Sequence, residues 1–100
     1  TIMIKGFLAY DLALELYTQC ERIKAKRHLK DQLERAALSI ALNLAEGSGK
    51  PTQADQRRFY SIAFGSLRET QTLLQILKAQ ESQQLAHRLG GMIYRLVHPG

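Results

Sequence analysis

From Gln32 to Gly47 the chain reads Gln-Leu-Glu-Arg-Ala-Ala-Leu-Ser-Ile-Ala-Leu-Asn-Leu-Ala-Glu-Gly. The helix this spacing predicts is apolar on nearly every side. At 100° per residue, Leu33, Ala37, Ile40 and Leu44 share one face, while Leu38, Leu42 and Ala45 lie roughly opposite. Ala36 and Ala41 fill the flanks, so polarity is confined to one line: Arg35, Ser39, Asn43 and Glu46. Such an apolar arc is about twice as wide as the core of one small bundle needs. One side can pack on the rest of the chain. The other, chiefly Leu38 and Leu42, then faces a second copy of the protein or is wrapped by the third and fourth helices. Burying two leucines per subunit is worth roughly 3–6 kcal/mol in transfer terms.

The remaining pattern is helical too. Prolines number 2, and no stretch alternates as a strand does. A first helix is expected from about Gly6 to Ile23, on the line of Leu8, Leu12 and Leu16 with Ala9, Ala13 and Tyr17 beside it. A basic connector follows, with Arg22, Lys24, Lys26, Arg27, His28 and Lys30 and no acid among them. The second helix is expected from about Leu29 to Ala45 or Glu46. Gly47 would be its left-handed cap, and Pro51 would stop it. Thr52 can N-cap a third helix from about Gln53 to Lys78 or Ala79, with Asp55 three residues on. Phe59, Ala63, Leu67, Thr70, Leu74 and Leu77 form its stripe. Ser82 is expected to N-cap a fourth helix carrying Leu85, Leu89, Met92, Ile93 and Leu96. Gly90-Gly91 inside it costs roughly 1 kcal/mol per glycine against alanine, which a close helix crossing or a bend would explain. The expected fold is all-α: a single domain over residues 1–100, an up-down-up-down antiparallel four-helix bundle, assembling as a ring-shaped homo-oligomer.

Several functions lack their chemistry in this sequence. Cys20 is a lone cysteine within a helical pattern and reads as a structural thiol in a reducing, cytoplasmic setting. His28, His87 and His98 are scattered without metal-ligand spacing. Gly47-Ser48-Gly49-Lys50 has a superficial likeness to a phosphate loop, but the earlier glycine and the preceding strand are missing. No apolar run approaches the ~20 residues that span a bilayer, and Thr1-Ile2-Met3-Ile4 shows no leader pattern. No enzyme, no cofactor and no membrane partner are therefore expected. The polar line of the second helix, with Ser66 and Glu69 of the third, reads as an interhelical network in which Glu46 or Glu69 pairs with Arg35. The net charge of +5 and pI of about 9.7 suit a polyanionic partner. Lys24, Lys26, Arg27, Lys30, Arg57 and Arg58 are the candidate nucleic-acid contacts, through phosphates of RNA or DNA. The competing reading is a protein-interaction or scaffolding module without nucleic-acid binding.

Two motifs carry a family resemblance. The first is Gln32, Arg35-Ala36, Ser39, Asn43, Ala45-Glu46-Gly47, Gly49 and Lys50; the second is Phe59, Ala63, Gly65-Ser66 and Glu69. Together they resemble the four-helix bundle proteins named after the intervening sequences of bacterial 23S ribosomal RNA. The start departs from the family pattern: members often carry an acidic-aromatic start with a tryptophan, where this chain has Phe7-Leu8-Ala9-Tyr10-Asp11 and Trp 0. The resemblance implies a closed bundle that assembles as a homopentamer, with no established enzymatic activity. It also implies distant relatedness to accessory proteins of diversity-generating retroelements, which are basic pentamers that bind nucleic acid and a reverse transcriptase.

Overall fold

The computed structural model describes residues 5–100, with side chains from Leu8 onward; the Thr1–Ile4 opening and the Phe7 side chain lie outside what is described. Among the described residues there are four helices and no strand: α1 (Lys5–Arg22), α2 (Arg27–Ser48), α3 (Gln53–Ile76) and α4 (Gln80–Val97). Each helix packs on its neighbours in sequence, and α4 closes against α1.

Local chemistry explains both ends of α3. Thr52 caps α3 as its position promised, its Oγ1 accepting from the Asp55 N–H at 3.1 Å. The far end of α3 is closed by Lys78, whose φ of 58° is left-handed. The Lys78 N–H donates to Gln75 O and the Ala79 N–H to Leu74 O, both at 3.1 Å, which satisfies two orphan carbonyls.

Three expectations need correction. Gly47 is not a left-handed cap. The helix runs two residues further, Gly47 is buried within it, and no described glycine has positive φ. A Cβ on Gly47 would sit 2.8 Å from Tyr60 Cε1 and 3.1 Å from Phe59 Cβ, so the missing side chain is what lets α3 approach. Ser82 does not cap α4, which starts at Gln80; its hydroxyl donates instead to Gln19 Oε1 of α1 at 2.8 Å. Finally, the core line of α1 runs through Ala9, Ala13, Leu16 and Cys20, all fully buried, while Leu8 is exposed. Two alanines on that line let the helices draw close, which a reading weighted by leucines did not anticipate.

The core of α2 is the expected one: Leu33, Ala37, Ile40 and Leu44 are fully buried. Gly90 is buried as well, and a Cβ there would meet Leu67 Cδ2 at 3.0 Å, so a close α3–α4 contact accounts for it. Ile93, Leu89, Leu67 and Leu74 complete the interior.

Candidate nucleic-acid interface

The cationic residues divide into two groups. Lys24 and Lys26 lie in the connector and are exposed; Arg27 opens α2 and is exposed. The helix therefore begins two residues earlier than the basic run suggested. Its first turn carries no acid, and Lys26 at the cap position supplies no side-chain bond. The positive end of the helix macrodipole thus adds to three free cations instead of offsetting them.

Lys30 stands apart from this group. Its ammonium reaches back to the end of α1 and donates to the carbonyls of Ile23 at 2.8 Å, of Glu21, and more weakly of Cys20 at 3.4 Å. It also pairs with Glu34 at 3.2 Å. The three donors of its ammonium are thereby engaged, and Lys30 serves as the C-terminal cap of α1.

Arg57 and Arg58 belong to the first turns of α3, close to Gly47 at the far end of α2. The 22 residues of α2 separate them from the connector by about 33 Å at 1.5 Å per residue. At a Debye length of about 8 Å the two groups do not reinforce each other within one subunit. Arg58 lies over the Phe59 ring at 4.6 Å, and Lys50 lies over the same ring at 5.0 Å. Lys50 also pairs with Glu46 at 3.2 Å. Of this end's cations, Arg57 has the fewest local partners.

The polar line of α2 is partly a network. Ser39 Oγ meets Ser66 Oγ at 2.8 Å, and Asn43 Nδ2 donates to Ser39 Oγ at 3.1 Å and to Ser39 O at 2.9 Å. The expected pairing of Arg35 with Glu46 or Glu69 does not occur among the described residues. Glu46 turns to Lys50, while Arg35 and Glu69 are both exposed. The two hydroxyls span the α2–α3 seam, the Asn43 amide holds Ser39 from within α2, and the charged ends of the line lie outside the seam. This group holds helices together and presents no paired base and nucleophile. Among the described residues no group of three or more His, Cys, Asp or Glu is placed to hold a metal ion, and no helix is long and apolar enough to cross a membrane.

Leu38 and Leu42 do point away from the chain's own core, at 39% and 59% exposure. Leu14 and Ile62 join them at 40% and 45%. Neither of these two is singled out by the sequence pattern. The Cys20 thiol is fully buried; burial, only partly countered by Lys30, pushes it up to about 11.

A family model described as 23S rRNA-intervening sequence protein matches residues 7–89 of the chain. That span covers both motifs and most of the four helices. No curated protein matches the chain.

Proposed function

The chain belongs to the 23S rRNA-intervening sequence protein family, and from that premise we propose a non-catalytic oligomer that binds nucleic acid through phosphates. The observation that carries this reading is the start of α2. Lys24, Lys26 and Arg27 are exposed, no acid stands in the first turn, and no side chain caps the helix. Cations at that end of a helix work against its stability and create a site suited to phosphate. Arg57 and Arg58 supply a second, separate contact region.

The oligomer in this proposal is a homopentameric ring of up-down-up-down antiparallel bundles. Antiparallel packing is supported by paired contacts: Ser39 with Ser66 and Gly47 with Tyr60 in one seam, Lys30 with the end of α1 in the other. That register sets Leu42 level with Ile62 and Leu38 level with Leu14. The four half-exposed side chains then form an apolar band across α1, α2 and α3. Covering the exposed half of each contributes roughly 3–6 kcal/mol per subunit. A ring interface is heterologous, so the band meets a different surface of the next copy. Each cationic end then repeats around the ring, and a modest local charge becomes an extended field.

Two measurements test the reading. Light scattering is expected to give a mass near five subunits, falling when Leu38 and Leu42 are both changed to Glu. Fluorescence polarisation is expected to show RNA and duplex DNA binding at low salt, with a steep salt dependence that flattens in the Lys24→Glu, Lys26→Glu, Arg27→Glu variant. A monomeric parent sinks the ring, and unaltered binding by that variant sinks the phosphate contacts. Partner capture that survives nuclease and high salt would favour a protein-docking role, for which the apolar band is the observation.

A further inference from the structure

The groove between α3 and α4 is lined by cationic, carboxamide and aromatic side chains. One cavity of about 340 Å³ is lined by Arg68, Gln71, Thr72, Gln75, Gln83 and His87. A second, of about 200 Å³, shares Arg68, Gln71 and His87 and continues to Phe64, Gly91 and Tyr94. Beyond it the rings go on: Tyr94 lies 6.1 Å from Phe64 and 4.4 Å from His98, centroid to centroid. His98 then lines a third cavity with Arg57. No acid lines any of the three, although the chain's Asp and Glu together number 9. Glu69 lies on another face of α3, and Glu81 on another face of α4. The Arg95 guanidinium folds over Gly91, 3.7 Å from where a Cβ would stand, and adds a further positive charge beside the floor.

We propose that this groove binds single-stranded RNA. The assignment rests on the nucleic-acid reading above and extends its Arg57 contact region into a surface with a different chemistry from the connector's. The connector offers charge alone, which any polyphosphate satisfies. The groove combines an acid-free run of Arg57, Arg68 and Arg95 with an aromatic shelf at Tyr94, which is 53% exposed. Cations that track a backbone beside rings that accept unpaired bases are the two parts of a single-strand site. A duplex keeps its bases stacked inward and cannot use the shelf. The carboxamides of Gln71 and Gln75 offer donors and acceptors together, and the Thr72 hydroxyl, which donates to Arg68 O at 3.1 Å, adds an acceptor; these complement base edges and the ribose 2′-hydroxyl. Gly91 is exposed and has no side chain of its own, so a strand lying against α4 there meets the Arg95 guanidinium.

Polarisation titrations of the whole protein test this with three probes: a twelve-nucleotide RNA without self-pairing, the DNA of the same sequence, and a duplex RNA. Tyr94→Ala is expected to weaken the single-stranded RNA about tenfold and leave the duplex unmoved, with Tyr94→Phe restoring the parent's affinity. Arg68→Gln is expected to weaken it severalfold and to lower the salt slope by about one. Single-strand affinity unchanged in both Tyr94→Ala and Arg68→Gln overturns the groove, even while the connector variant loses binding and the wider reading stands. Equal affinity for the DNA strand overturns the assignment to RNA. A parent that binds none of the three probes at low salt removes the groove and the wider reading together.

Discussion

Gly47→Ala should destabilise the protein although alanine is the better helix former. In an open helix the change gains about 1 kcal/mol. Here the new methyl carbon would stand 2.8 Å from Tyr60 Cε1, 3.0 Å from Tyr60 Cδ1 and 3.1 Å from Phe59 Cβ. Ordinary contact begins near 3.4 Å, so something must move by about half an ångström. The Tyr60 ring is only 6% exposed and sits in the core, and Phe59 Cβ is fixed to the α3 backbone. Neither is the loose end of a flexible side chain, so α2 and α3 must part or the ring must leave its place. Overpacking of this kind costs about 2–3 kcal/mol, which leaves a net loss of about 1–2 kcal/mol. For a domain of this size that lowers Tm by roughly 5–15 °C. Gly91→Ala is the control: a Cβ there meets nothing closer than the Arg95 guanidinium at 3.7 Å, so the propensity gain survives and Tm should rise by about 4–8 °C. Calorimetry or circular dichroism at one fixed protein concentration reads both. A Gly47→Ala melting point at or above the parent's would refute the close-approach account and reopen the reading of Gly47 as a terminator.

Lys30 and Arg27 should behave oppositely, although both belong to the basic run. Lys30→Met keeps the aliphatic stem but strips the cap from α1, a loss of about 1–3 kcal/mol read in a denaturant melt; an unchanged midpoint would count against the cap. Arg27→Glu puts an acid where the α2 macrodipole favours one and should raise the midpoint of the same melt, a gain in stability of about 0.3–1 kcal/mol, while weakening polyanion binding. Cys20 should resist thiol reagents at pH 8 in native buffer and react only as denaturant opens the fold, because burial holds it protonated to about 11. The linkage has one sign: the unfolded thiol ionises near 9.0 and the folded one near 11, so this contribution to stability is intact below pH 9 and is lost as pH rises through 11. Stoichiometric labelling of the native protein within seconds at pH 8 would contradict the buried placement.

The helices were legible because their signals are local. Periodicity, the Thr52–Asp55 cap and Pro51 each act within a turn or two, and the outward face of α2 follows from its angular arrangement alone. What was not legible depends on the partner helix. Gly47 before Ser48-Gly49-Lys50-Pro51 has the look of a terminator, and only the position of Tyr60 shows that it is a point of contact. Lys30 is indistinguishable from Lys24 and Lys26 in a list of charges, because its role is set by carbonyls at the end of α1. Arg35 and Glu46 were correctly placed on one line, but a line on a helix does not say which members reach the seam. The groove left a signal that went unread. From Gln80 through Gln83, His87 and Tyr94 to His98, the steps of three, four and seven mark one face of α4, and no acid falls on it.

The starts of α2 and α3 show what the basic residues cost the fold. At α3, Thr52 accepts a backbone N–H and Asp55 stands in the first turn, so the positive end of the helix is capped and neutralised. At α2 every one of these provisions is absent. Lys26 takes the cap position without a side-chain bond to the backbone, and Arg27 and His28 follow it. Sequence selected for stability alone would not settle there, since a single acid would bring an immediate gain. Lys30 resolves its own share by leaving the unfavourable end of one helix for the favourable end of another. Among the described residues, Lys24, Lys26 and Arg27 make no such bonds. Under the proposed function, an external anion would turn this arrangement from a liability into a binding surface, at the end of the helix where backbone donors lack intrahelical partners.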